Sequence, residues 1–266
     1  MGRALRITSR RHPIVQRCRR LAARRRDDSG VLLDGEHVVT EAIASGVPVE
    51  VLLISDDGAS AIGRRAEAAG TTVYRCPPAV LEAASPVHTS SGVVALASWE
   101  PAAASALFAR TPALILGLVD VQDPGNAGSA IRSADALGAT GVATLDGTAD
   151  PAGWRAMRGA MGSTFHLPIA RGSSAEILQH ARRAGVAVAA TVASGGQPAD
   201  AVDLRAPWLV LLGNEGGGLT TDLVSQADVK LSVPMRPGVE SLNVAVTAAL
   251  VLYEARRQRD GASETR

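Results

Sequence analysis

A chain of 266 residues, 46% of them hydrophobic, can hold one large domain or two modest ones with a proper core. Aromatics make up only 3%, so that core has to be built from Ala, Val, Leu and Ile. The two cysteines stand far apart at 18 and 76, and the five histidines are scattered, which argues against a disulfide framework and against a metal site; no apolar run approaches the roughly 20 residues of a bilayer span.

Charge is small in sum and uneven in distribution. The first 26 residues carry ten Arg and no acid, which leaves −9 on the other 240 for a net +1. They contain neither a secretory pattern nor a long apolar run, so the expectation is a soluble, cytoplasmic protein. An Arg-rich arm suggests a polyanion partner such as a nucleic acid. A solvated tail is the bland alternative, because only Lys230 among the 27 basic residues is a lysine and the preference for Arg is general.

Residues 12–26, HPIVQRCRRLAARRR, read as a basic amphipathic helix, with Ile14, Val15, Cys18, Leu21 and Ala22 at helical spacing. VLLDGEHVVTEAIASG (31–46) predicts a strand, a turn and a helix closed by Gly46. EVLLIS (50–55), TTVYRC (71–76) and VVALASW (93–99) predict further strands, and IGRRAEAAG (62–70) a helix. The Ala-rich stretch 100–112, bounded by Pro101 and Pro112, is the best linker candidate, so the expected domains are 1–106 and 107–266.

Beyond it the strands are stronger: 113–120, 141–145, 166–170, 186–192, 208–213 and 229–234. Helical stretches at 126–137, 153–162, 174–184 and 241–258 lie between several of them. That alternation predicts an α/β fold with a mostly parallel sheet, whose ligands bind beyond the C-terminal strand ends.

Three unusual segments follow strand-like runs. In DVQDPGNAGSAIRSADAL (120–137) Asn126 is placed to cap a helix, and Arg132 falls on its more polar side. A guanidinium fork there suits a phosphate, although a capped helix with a surface Arg would look the same. LLGNEGGGL (211–219) has four glycines in six residues, which permits either close backbone approach to a ligand or a plain flexible turn. VPMRPGVESLNVAV (233–246) ends a strand and enters the final helix, with Ser241 as the expected cap and Asn243 in the first turn. Neither a dinucleotide fingerprint nor a P-loop occurs, which weighs against a nicotinamide-dependent oxidoreductase.

Taken in order, Asn126 and Arg132 after the D-P-G turn, then LLGNEGGGL, then VPM followed by SLNVAVTAAL resemble the SpoU/TrmH family of RNA ribose 2′-O-methyltransferases, of the SPOUT class. The motifs span about 120–258, and the N-terminal half resembles the small RNA-substrate-binding domain found ahead of many members. The resemblance implies a small L30e-like α/β domain followed by a parallel α/β domain with a C-terminal trefoil knot, acting as a homodimer on RNA. S-adenosylmethionine would be the methyl donor, without a metal. Donor contacts would fall on Thr191, Val192, Gly213, Asn214, Glu215, Gly216, Val233, Pro234, Met235, Leu242 and Asn243. Catalytic-site roles would fall on Asn126, Arg132, Glu215, Ser241 and Asn243. Ribosomal RNA (23S) is the expected substrate; a tRNA substrate, or a non-catalytic RNA-binding protein on the same fold, are the alternatives. A guanidinium holds its proton at neutral pH, so Arg132 is expected to bind phosphate and support a developing alkoxide more than to act as a base.

Overall fold

The computed structural model describes residues 5–23, 30–56, 60–87 and 89–263. The ends of the Arg-rich arm, 1–4 and 24–26, and His88 lie outside the described residues. The chain divides into two units, one running to Glu100 and including Ala152–Phe165, the other formed by Pro101–Pro151 and the chain from His166 onward.

The first unit contains, in chain order, β1 (Leu5–Arg6), α1 (Pro13–Ala22), β2 (Val31–Asp34), α2 (Glu36–Ala44), β3 (Val49–Ser55), α3 (Ser60–Ala68), β4 (Thr72–Cys76), α4 (Pro78–Ala84) and β5 (Val93–Ala97). Its sheet runs β1-β4-β3-β5-β2, mixed in direction, with β5 antiparallel to both β2 and β3. The helical spacing read in 12–26 places Val15, Cys18 and Leu21 of α1 in the core, while His12 accepts the Ile14 N–H at 3.3 Å through Nδ1. Burial pushes both core thiols up, Cys18 to about 12 and Cys76 to about 11, and both are free. Helix α4 was not expected; Pro78 at its first turn and buried Val80, Leu81 and Ala84 at helical spacing account for it.

The second unit contains β6 (Leu114–Val119) and α5 (Pro124–Ala136), then β7 (Gly141–Leu145). The chain next contributes α6 (Trp154–Ala160) to the first unit before returning as β8 (Ile169–Gly172). There follow α7 (Ser174–Arg183), β9 (Ala187–Thr191), β10 (Gln197–Pro198), β11 (Trp208–Leu212), α8 (Thr221–Ser225), β12 (Val229–Ser232) and α9 (Val244–Ser263). Its sheet, β10-β12-β9-β11-β6-β7-β8, is parallel at every pairing among the described residues, as the strand–helix alternation predicted. Ile115, Val119, Leu209 and Leu211 form a core with Ile177, Leu178 and Ala181 of α7. Leu114, Leu116 and Leu118 point to the opposite face and are equally buried, so both faces are covered.

The 100–112 stretch is not a free linker. Leu107, in a 3-10 turn at Ala104–Phe108, is fully buried in the second unit's core, and Phe108 stacks on His180. No helix among the described residues is long and apolar enough to cross a membrane.

Candidate active site

The expected motifs meet at the C-terminal ends of β6, β9, β11 and β12. Register pairs Leu212 with Leu118, so the chain leaves β11 as Gly213 and Asn214 beside the end of β6. The 213–219 loop folds tightly on itself, with the Gly218 N–H donating to Asn214 O at 3.0 Å. A Cβ on Gly213 would lie 2.1 Å from the Gly218 carbonyl carbon, so only glycine fits there. Asn214 holds the loop from inside: its Oδ1 accepts the Gly216 and Gly217 N–H groups at 2.8 and 2.7 Å, and its Nδ2 donates to Asp120 Oδ2 at 2.8 Å.

Two expected caps are corrected. Asp123, not Asn126, caps α5: its Oδ1 accepts the Asn126 N–H at 2.8 Å, with Pro124 in the first turn. Asn243, not Ser241, caps α9: its Oδ1 accepts from Ala245 N at 2.9 Å and Val246 N at 3.3 Å. The shift comes from competition between neighbouring cap formers; at each helix one residue satisfies the free N–H groups and the other is left out. At α5 it is the Asn126 side chain that is set free. Its Nδ2 donates to Glu215 Oε1 at 2.6 Å, and its Oδ1 accepts from Asn243 Nδ2 at 3.0 Å. One asparagine therefore joins all three motifs.

A cavity of about 420 Å³ opens between these loops. Of the expected donor contacts, Thr191, Val192, Gly213, Asn214, Glu215, Gly216, Val233, Met235 and Leu242 line it, as does Ser241, whereas Pro234 and Asn243 do not. Sequence reasoning missed Ala193, Leu212, Leu219, Glu240, Val244 and Thr247, which also line it, together with Gly217, Gly218 and Val224. Leu212, Gly217, Gly218 and Leu219 belong to the second motif and Glu240, Val244 and Thr247 to the third, so their segments were legible although the residues themselves were not singled out; Ala193 and Val224 lie outside all three. Glu215 and Glu240 give the lining two carboxylates, and no basic side chain lines it among the described residues. Apolar walls with a few converging polar groups and a surplus of negative charge suit a flat, partly apolar ligand that carries a cation.

Arg132 stands apart from the cavity lining. It is exposed on α5, beyond the buried Ala127, Ala130, Ile131 and Ala134, and makes no hydrogen bond or ion pair with the described residues. Three residues on, Asp135 pairs with His166 Nδ1 at 2.7 Å.

The sequence model of the SpoU rRNA Methylase family matches residues 113–253, and that of the MRM3-like substrate binding domain matches 12–95. The chain is 33% identical over 225 residues to the 23S rRNA (guanosine(2553)-2′-O)-methyltransferase RlmP of Bacillus subtilis (strain 168), covering 85% of this chain and 88% of that one. The AdoMet-bound rRNA methyltransferase from Sinorhizobium meliloti superposes with a TM-score of 0.86 at 29% identity, over 96% of this chain and 98% of its own. The SpoU methyltransferase AviRb from Streptomyces viridochromogenes, in complex with AdoMet, gives 0.84 at 29% identity, over 94% and 100%. Both the matched motifs and the chain-length similarity show that this chain belongs to the SpoU rRNA methylase family.

Proposed function

We propose that this protein methylates a ribose 2′-hydroxyl in ribosomal RNA of the large subunit, using S-adenosylmethionine as donor. The observation that carries the reading is the Asn126–Glu215–Asn243 network at an acidic, half-apolar cavity. The similarity to the B. subtilis enzyme, named for 23S rRNA, supports the substrate class, and the AdoMet-bound relatives support the donor.

The cavity's chemistry fits that donor. When bound, S-adenosylmethionine supplies an electrophilic methyl on a cationic sulfur. Val192, Leu212, Met235 and Leu242 offer apolar surface for a purine, and the Gly213–Gly218 backbone allows close approach. Glu215 and Glu240 favour the donor's positive charge, which contributes to binding the donor and not to the methyl-transfer step itself. Asn126 and Asn243 hold Glu215 by donated and relayed hydrogen bonds, and Ser241 stands at the rim with its hydroxyl free for the ribose. Arg132 is exposed and outside the cavity lining, which leaves it available to RNA. Its role is to grip the phosphate beside the target ribose and to favour the developing alkoxide, while the hydroxyl proton leaves to water or phosphate.

The first unit serves as the RNA-binding half, L30e-like in fold. Exposed Arg10, Arg11 and Arg19 make no ion pair among the described residues, whereas Arg17 is paired with Glu50. In the second unit β11 enters late between β9 and β6, and β12 enters beside β9, which supports a C-terminal trefoil knot. Val246, Leu250 and Tyr253, at helical spacing on α9, are 47, 43 and 59% exposed, an apolar stripe that a second copy of the chain would cover in a homodimer. The enzyme acts in the cytoplasm, where its substrate is made.

Transcriptome-wide mapping of 2′-O-methyl sites in a deletion strain tests the reading. One lost signal in 23S rRNA is the expected result, and a lost signal in tRNA would move the substrate. Failure of the purified protein to bind S-adenosylmethionine in calorimetry would overturn the activity and revive a purely RNA-binding role.

A further inference from the structure

In the sequence Asp120 marks only the end of a strand. It lies at the C-terminal end of β6, next to β11 in the sheet, with φ +55. A left-handed backbone is uncommon for a residue other than glycine and persists only where its surroundings over-determine it. Here the surroundings are specific. The Thr148 hydroxyl accepts the Val121 N–H at 3.1 Å and donates to Leu118 O at 2.8 Å, clasping the chain on both sides of Asp120. Gly147 leaves room for the carboxylate: a Cβ there would lie 2.0 Å from Asp120 Oδ1.

So seated, the carboxylate has two donors. Its Oδ2 accepts Asn214 Nδ2 at 2.8 Å and its Oδ1 accepts Gln122 Nε2 at 3.2 Å. Asn214 has no freedom to turn its amide over, because its oxygen is taken by the Gly216 and Gly217 N–H groups. The connection therefore runs in one direction: Thr148 and Gly147 fix Asp120, Asp120 fixes the Asn214 amide, and Asn214 fixes the loop that carries Glu215 to Asn126.

We infer that Asp120 is a positioning residue for the methyl-transfer site, acting through Asn214 to hold the 213–219 loop closed before any ligand arrives. It does not itself line the cavity or bond to Asn126 or Glu215; its contact with the site is the bond to Asn214. The inference rests on the donor-site reading of that cavity. Its physical basis is preorganisation: a glycine-rich loop is costly to order, and a charge-assisted hydrogen bond at its root removes that cost from the binding step.

The test uses D120A, N214D, G147A and the double variant D120N/N214D in the full-length protein. Three readouts are followed: hydrogen–deuterium exchange of 213–219 without ligand, S-adenosylmethionine affinity by calorimetry, and thermal melting. D120A removes the acceptor, N214D sets two carboxylates face to face, and G147A displaces the Asp120 side chain without touching the loop. Each should speed exchange of 213–219 and weaken donor binding by about tenfold, the loss of one hydrogen bond to a charged group. The double variant restores a donor–acceptor pair with its polarity reversed and should recover most of what N214D loses. A merely structural role would lower melting temperature and leave this reciprocal rescue unseen. The inference is overturned if D120A leaves loop exchange and affinity within twofold of wild type, or if the double variant behaves like N214D while melting like wild type. If the wild-type protein binds no S-adenosylmethionine, the donor-site reading fails, and the exchange arm still decides whether Asp120 holds the loop.

Discussion

Asn243 Nδ2 donates to Asn126 Oδ1 at 3.0 Å, joining residues 117 positions apart in sequence. Each asparagine stands at the start of a helix, and they differ in what the helix asks of them. Asn243 gives its oxygen to the α9 N–H groups and keeps its NH2 for Asn126. Asn126 is relieved of capping by Asp123 and spends its whole amide on Asn243 and Glu215. The order of polarity is forced, since Glu215 only accepts and Asn126 must therefore turn its NH2 toward it.

Replacing Asn126 by Ala leaves the Glu215 carboxylate and the Asn243 amide without this partner. Turnover on RNA should fall by on the order of tenfold or more, with little change in melting, because both freed groups can reach water. Single-turnover methyl transfer measures it; unchanged turnover would mean the network is decoration.

The cap assignments separate by stability. D123A and N243A should each cost about 1 kcal/mol, while S241A should stay within about 0.5 kcal/mol of wild type. Denaturant titration of the three variants decides it, and a destabilised S241A would return the cap to Ser241.

Arg132→Lys keeps the charge and loses the planar fork. With Arg132 outside the cavity lining, donor affinity should be unchanged while kcat/KM for RNA falls by on the order of tenfold or more. Near-normal turnover in this variant would rule out the two-pronged grip on phosphate.

Asp34 provides a pH test in the first unit. Burial pushes its carboxyl above the usual carboxylate range, outweighing the Ser85 hydrogen bond at 2.7 Å and the half-exposed Arg158 at 3.5 Å. A raised folded value means that its contribution is fully present below the ordinary carboxylate pKa and is lost as pH rises through the folded value. Asp34→Asn, which can still accept from Ser85, should therefore melt above wild type at pH 7, and the gap should close in acid. A variant less stable than wild type at pH 7 would show that the Arg158 pair outweighs burial.

Arg259, half-buried near the end of α9, donates to four backbone carbonyls: Leu204 at 3.0 Å, Pro112 at 3.2 Å, Ala113 at 3.1 Å and Ala206 at 2.8 Å. Arg259→Met keeps the apolar stem and strands those acceptors. A loss of about 2–3 kcal/mol is expected in chemical denaturation, since several bonds to a charged donor go at once. A variant as stable as wild type would mean that water replaces the guanidinium without penalty.

Much of the architecture was legible because its signals are local. Apolar runs at 114–119, 141–145 and 208–212 became buried parallel strands, and Val15, Cys18 and Leu21 marked the inner face of α1. The misses were local as well. Helix α8 has only five residues, too few to show a period, and Leu107 in the supposed linker is a single apolar residue whose burial no pattern announces. At the two caps, Asp123 and Asn126 are both good cap formers three residues apart, and sequence preference alone does not rank them.

Residue types and their order determined the strands, the helices and the three motifs, because periodicity and turn chemistry act over a few neighbours. The tertiary structure alone decided what each polar group bonds to. Whether Asn126 caps a helix or bridges to Glu215, and whether Asp120 merely ends a strand or holds Asn214, depends on strands β6 and β11 lying side by side, 94 residues apart at the Asp120–Asn214 bond. A hydrogen bond needs its donor within about 3 Å, and only the packed sheet brings such distant residues that close.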